Sequence, residues 1–279
     1  MNNTIKTIIL LGSLSLVVIV IGRLFGGVSG MVMAFIIALA MNSAAYFFSD
    51  KMALMASGAQ PLDEKDAPDL FRATKALAQK ANIPMPKMYI TPEMQANAFA
   101  TGRDPQHAAV AVTQGLLQNL TPREVEAVIA HELAHIKNRD ILISSIAAVL
   151  ASMIGFIANF SLYSPQQNNE NTNPLFAIVG AIAVSLLAPL AGVIIQMAIS
   201  RAREFEADAT AKQLLGTGQP LADALKSIHK TVRFNPAHDI NPAYSSMYIA
   251  NPFGGANSNL INLFSTHPPV EERIKRLLF

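Results

Sequence analysis

HELAHIKNRDILISSIAAVL, residues His131–Leu150, sets a metal-binding pattern against an apolar run. Its first five residues carry two histidines four apart with a glutamate after the first. On a helix, positions four apart lie one above the other. His131 and His135 can therefore offer two neutral imidazole nitrogens to one divalent ion. Glu132 then stands beside the ion's open position, able to take a proton from an attacking water and pass it to a leaving amine. This is the H-E-x-x-H arrangement. The pattern needs a helix, and the residues before it supply one: Thr121 as N-cap, Pro122 at the first helical position and Glu124 completing a capping box. After Asp140 no charged residue appears until Glu170.

The apolar run is not isolated. Hydrophobic residues make up 51% of the 279-residue chain and charged residues 14%, against roughly 25% charged in soluble domains. Four windows lack Asp, Glu, Lys and Arg altogether: Thr7–Gly22, Leu24–Ser49, Ile141–Ser161 and Asn171–Ser200. A spanning helix needs about 20 mainly apolar residues. The expectation is thus a mainly α membrane protein with a small β element, four transmembrane helices and a cytoplasmic zincin-type α+β metalloprotease domain. A cleaved signal peptide for the first window, and buried core helices for the last two, are the competing readings. Lys6, Lys51, Lys137, Arg139, Arg201 and Arg203 flank one set of window ends, while the loop 161–174 carries no Lys or Arg. The positive-inside rule then puts both termini and the polar domain in the cytoplasm.

This divides the chain into an N-terminal transmembrane hairpin (1–49), a first half of the protease domain carrying HELAH (50–140), a second transmembrane hairpin (141–200) and a second half supplying a further ligand (201–279). In the first half, 67–81 has helical spacing, with Leu70, Phe71, Thr74, Leu77 and Ala78 on one face. Short β-like runs follow at 87–90, 96–101 and 108–113, the last two joined by GRDPQ into a hairpin. A net charge of +2 without a basic cluster argues against nucleic-acid binding. The absence of cysteine excludes disulfides and thiolate ligands.

A catalytic zinc takes three protein ligands and keeps one position open. Without cysteine, the third must be a carboxylate or histidine. RAREFEADATA, 201–211, places Glu204 and Asp208 four apart on one face, with Glu206 pointing elsewhere. Glu204 is the candidate ligand and Asp208 the partner that orients an imidazole. A charged helix held by its own Arg–Glu pairs has the same appearance; the HELAH motif favours the ligand.

HELAH, REFEAD after a hydrophobic hairpin, THPPVEERIKRL near the C-terminus and MYITPEMQANAFATGR upstream together resemble the HtpX-type membrane zinc metalloproteases. These share one gluzincin family with the CAAX prenyl endopeptidases. The resemblance implies one Zn2+ per chain on His131, His135 and Glu204, with Glu132 as general base. It also implies a place in the bacterial inner membrane, facing the cytoplasm, and misfolded membrane proteins as substrates in quality control under stress. His267 and Arg273 match positions that lie near the reacting carbonyl or brace the site, although His267 before two prolines also suits the start of a helix. Asn97, in QANAFAT, can contact substrate backbone if its strand is a sheet edge; an interior strand is the alternative. His107, His229 and His238 have no motif around them and are expected at the surface. A prenyl-processing peptidase and a non-proteolytic adaptor with a structural zinc are the rival functions.

Overall fold

The computed structural model describes residues 3–146, 201–234, 248–249 and 268–279. The expected second transmembrane hairpin lies outside the described residues beyond 146, as do His238 and His267.

The first element, α1 (Asn3–Ala56), is helical throughout except at Gly27, where φ is 59° and ψ −141°. That conformation is open to glycine and strained for other residues. A straight helix would separate Leu11 from Asn42 by about 46 Å at 1.5 Å per residue. Instead the Asn42 amide donates to the Leu11 carbonyl at 3.5 Å and to Ser15 Oγ at 2.7 Å. The chain therefore doubles back at Gly27. Gly22 and Gly30 make the closure possible, because a Cβ at Gly30 would sit 2.2 Å from the Gly22 carbonyl oxygen. The second arm, Gly26–Ala56, reaches a mean hydropathy of 1.9 and is, among the described residues, the helix with the length and composition to cross a membrane. Phe35, Ile36, Leu39, Phe47 and Phe48 stand exposed on it.

Next come β1 (Gln60–Pro61), α2 (Pro68–Ala81), β2 (Lys87–Thr91), β3 (Ala98–Gly102) and β4 (Ala108–Thr113), then α3 (Gln114–Asn119) and α4 (Pro122–Lys137). Beyond 200 lie α5 (Arg201–Leu215), α6 (Gln219–Phe234) and α7 (Val270–Leu278). The sheet order is β1-β2-β4-β3, with β2 parallel to β4 and the other two pairings antiparallel. The expected β3–β4 hairpin is present, and β3 is an edge. The parallel β2–β4 pairing has no local signature, since it joins runs that are not neighbours in sequence.

All six residues of β4 are buried, which explains the apolar run AAVAV ahead of Thr113. Val110 and Val112 face a core shared with Leu77, Ile129, Leu133 and Leu225. Ala109 and Ala111 face the other way, onto Leu54 and Phe99. The end of α1 is thus docked on the back of the sheet. On the front, α4 packs beneath α2, α5 and α6, so one apolar core draws on residues from both sides of the 141–200 segment.

Candidate metal centre

Helix α4 begins with the expected capping box: Thr121 Oγ1 accepts from the Glu124 amide, and the Thr121 amide donates to Glu124 Oε2 at 2.8 Å. Glu124 Oε1 also accepts from Ser227 Oγ on α6 at 2.8 Å. The cap therefore fixes both where the helix starts and how it rotates against its neighbour. Val128, Ile129, Leu133 and Ile136 face the core, and the remaining face carries His131, Glu132 and His135.

The two imidazoles meet at right angles with Nε2 to Nε2 at 3.2 Å. Glu204, arriving on the first turn of α5, places Oε2 3.6 Å from His131 Nε2 and Oε1 3.6 Å from His135 Nε2. Tetrahedral ligands at about 2.05 Å from zinc would lie about 3.4 Å from one another, so the observed triangle has the right size. Its ligand atoms all fall within 4.8 Å. Glu206 on the same helix is exposed and turned away.

The outer nitrogens decide what the inner ones can do. His131 Nδ1 faces Asp208 Oδ1 at 3.0 Å, and His135 Nδ1 faces Asp140 Oδ2 at 3.1 Å. His135 Nδ1–H donating to Asp140 leaves its Nε2 lone pair pointing inward, and the Asp208 carboxylate beside His131 Nδ1 favours the same tautomer there. Two lone pairs and a carboxylate converging on one point make a ligand set able to hold a cation between them. The electrostatics agree. Burial disfavours the charged form of His131, yet the Asp208 and Glu204 carboxylates outweigh it and hold its pKa at about 9. The site favours positive charge at that spot, and the residues fit a divalent metal.

Arg273 completes the support. It is fully buried, and its guanidinium grips Asp208 through Nε at 2.8 Å and Nη2 at 2.7 Å. Nη1 donates to the Ile249 carbonyl at 2.9 Å and lies 3.6 Å from Glu204 Oε2. Burial by itself would raise the Asp208 pKa, but Arg273 overrides it and holds it at about 2. Asp208 is therefore a fixed anion, and its bidentate partner sets its plane.

Glu132 is also buried, and burial pushes its carboxyl above the usual range against the opposing pull of His131 and His135. The Ala100 amide of β3 donates to it. The general-base candidate and the edge strand are thus in direct contact.

Asp140 was not singled out from sequence, and its position has a local cause. The Arg139 amide donates to Ile136 O at 3.1 Å and the Asp140 amide to His135 O at 2.9 Å. With Arg139 at φ 58°, this is a Schellman ending on α4. A non-glycine residue there costs roughly 1 kcal/mol. The turn carries the Asp140 side chain back beneath the helix's own second histidine. The available signal was an acidic residue five positions past that histidine, read only as the end of a charged stretch.

Asn97 is buried at the head of β3. Its Oδ1 accepts from the Ile249 amide at 3.0 Å, and its own amide donates to Thr113 Oγ1 at 3.0 Å. His107 and His229 are exposed, as expected.

Comparison with known proteins agrees with this geometry. The profile of peptidase family M48 matches residues 64–278. The chain belongs to that family. It is 51% identical to the protease HtpX homolog of Burkholderia thailandensis, over all of this chain and 97% of that relative. The homologue from Burkholderia mallei matches at the same 51% and the same coverage. Among solved structures, S. mikatae Ste24p superposes with a TM-score of 0.52 at 20% identity, covering 99% of this M48 chain and 66% of the longer one. That likeness concerns fold alone. The M48 chain is a metalloendopeptidase of the HtpX type, with His131, His135 and Glu204 as the cluster able to hold its metal.

Proposed function

We propose that this M48 peptidase is a zinc endopeptidase of the bacterial inner membrane. In this reading its centre faces the cytoplasm and cleaves misfolded or membrane-anchored proteins as part of membrane quality control. The observation that carries the reading is the triangle of two Nε2 atoms and a carboxylate with Glu132 at its side, each imidazole backed by its own aspartate. One zinc per chain suits a two-nitrogen, one-oxygen ligand set lacking thiolate. When bound, it acts as a Lewis acid that lowers the pKa of a coordinated water to about 7.

The chain's own residues then divide the work. Glu132, raised by burial and touching β3 through Ala100, accepts the proton of the attacking water and delivers it to the leaving nitrogen. Asp140 holds the outer N–H of His135, and the Asp208 carboxylate beside Nδ1 of His131 favours the same tautomer there. An extended substrate adds along the outer edge of β3, using the outward backbone groups other than the Ala100 and Gly102 amides, in hydrogen bonds that tolerate many sequences. Asn97, expected to touch substrate, is instead buried at the head of that strand, its Oδ1 accepting from the Ile249 amide, and acts on substrate through the strand it holds in place. His267, outside the described residues, donates to the developing oxyanion.

The N-terminal hairpin and a second hairpin over 141–200 would hold this unit at the bilayer, with the domain halves 50–140 and 201–279 on the inner side. A site so placed meets substrates that are themselves anchored in lipid. Four protein ligands close a structural zinc site. Among the described residues the cluster has three, which favours catalysis over an adaptor role.

The test uses the full chain in detergent, stripped of metal and reloaded with zinc, with casein as substrate. Glu132→Gln should still bind one zinc and lose turnover by about 100- to 10,000-fold. Turnover equal to the parent would remove Glu132 from the mechanism and the proteolytic reading with it.

A further inference from the structure

The edge strand β3 is tied down at a point that the mechanism above does not use. Asn97 and Thr113 pair across the β3–β4 ladder, the Thr113 amide donating to Asn97 O at 3.0 Å. In antiparallel pairing the direction of the backbone groups alternates. Ala98, Ala100 and Gly102 therefore turn their N–H and C=O groups away from β4, toward the side where a substrate strand would lie. Two of these amides have visible partners: Ala100 donates to Glu132 and Gly102 donates to Ser145 Oγ at 3.3 Å. Ser145 Oγ also shares a hydrogen bond of 2.7 Å with Thr101 Oγ1. Ser145, Thr101 and Gly102 are all buried. Gly102 is an unyielding post for this clamp. Its φ is 140°, and a Cβ there would lie 2.3 Å from the His107 carbonyl oxygen.

Ser145 belongs to the helical turns 141–146, which start directly after Asp140; the Ser144 amide donates to Asp140 O at 3.2 Å. Within six residues, then, one turn orients the ligand His135 through Asp140 and grips the far end of the edge strand through Ser145. We propose that Ser145 is a positioning residue for substrate: its hydroxyl sets the height of the β3 edge relative to the metal centre, so that strand and ligand take their places from the same turn. This rests on the reading that substrates add to β3. It assigns the first turn of the apolar segment a part in substrate alignment as well as in anchoring.

The experiment compares Ser145→Ala with Ala98→Pro in the zinc-loaded full chain, using a quenched fluorogenic peptide. Zinc content and hydrogen exchange of the 97–103 segment are measured in parallel. Ser145→Ala should raise KM about fivefold, the worth of one hydrogen bond, leave kcat within about twofold, keep the parental zinc content and speed exchange at Gly102. Ala98→Pro removes one outward N–H, which an edge position tolerates, and should also raise KM. A raised KM in Ala98→Pro with a parental KM in Ser145→Ala overturns the role of Ser145. An unchanged KM in Ala98→Pro overturns the edge reading itself and this inference with it. Loss of zinc, or a fall in kcat alone, in Ser145→Ala would mark a purely structural residue and also overturn the proposal.

Discussion

The two imidazoles of the metal centre stand one helical turn apart and are held in different ways. His131 is 1% exposed and rests on a carboxylate that is locked in turn by a fully buried arginine, both from the far side of the 141–200 segment. His135 is partly exposed and rests on Asp140, five residues downstream in the same local turn. One ligand is supported by tertiary structure and the other by secondary structure. Damage on the first side should therefore reach the fold, while damage on the second should stay with the metal.

The sharpest way to break this contrast is Arg273→Ala. It strands the Asp208 carboxylate in the core, and removing one partner of a buried pair costs about 3–5 kcal/mol. Denaturant unfolding of the metal-free protein should show that loss; a shift below about 1 kcal/mol would mean that His131 is not supported from α7. Asp208→Asn comes next. It weakens the Arg273 grip and the orientation of His131 together, and zinc affinity should fall toward the upper end of about 10- to 100-fold, measured by competition with a chelator. Asp140→Asn should lower zinc affinity only about tenfold and leave the unfolding midpoint nearly unchanged. Equal stability losses in the two aspartate variants would erase the distinction. Glu206→Ala is the smallest change: exposed and turned from the triangle, it should leave zinc binding unaltered and stability within about 0.5 kcal/mol.

The same division governs what could be read from sequence. The capping box at Thr121–Glu124, the buried stripe of α2 with Thr74, Leu77 and Ala78, and the β3–β4 hairpin all came from contacts within a few residues. His131 and His135 were legible for that reason, being one turn apart on one helix. Glu204 was inferred from ligand chemistry once cysteine was absent, and the packing of α5 against α4 delivers it. Asp140 escaped because a Schellman turn closed by Arg139 at positive φ has no glycine to announce it. The pairing of Ser145 with Gly102 and of Asn97 with Ile249 joins residues 43 and 152 positions apart, and no periodicity encodes such partners.

By itself, then, the sequence determined the apolar first hairpin, the catalytic helix, its two histidines and its glutamate, because spacing along a helix is a local property of the chain. Only the tertiary structure decided which carboxylates stand behind those histidines, how Arg273 reaches the core beneath them and which strand edge lies against Glu132. Those choices are made by packing elements from opposite ends of the chain into one low-dielectric core, where a buried charge persists only beside its partner.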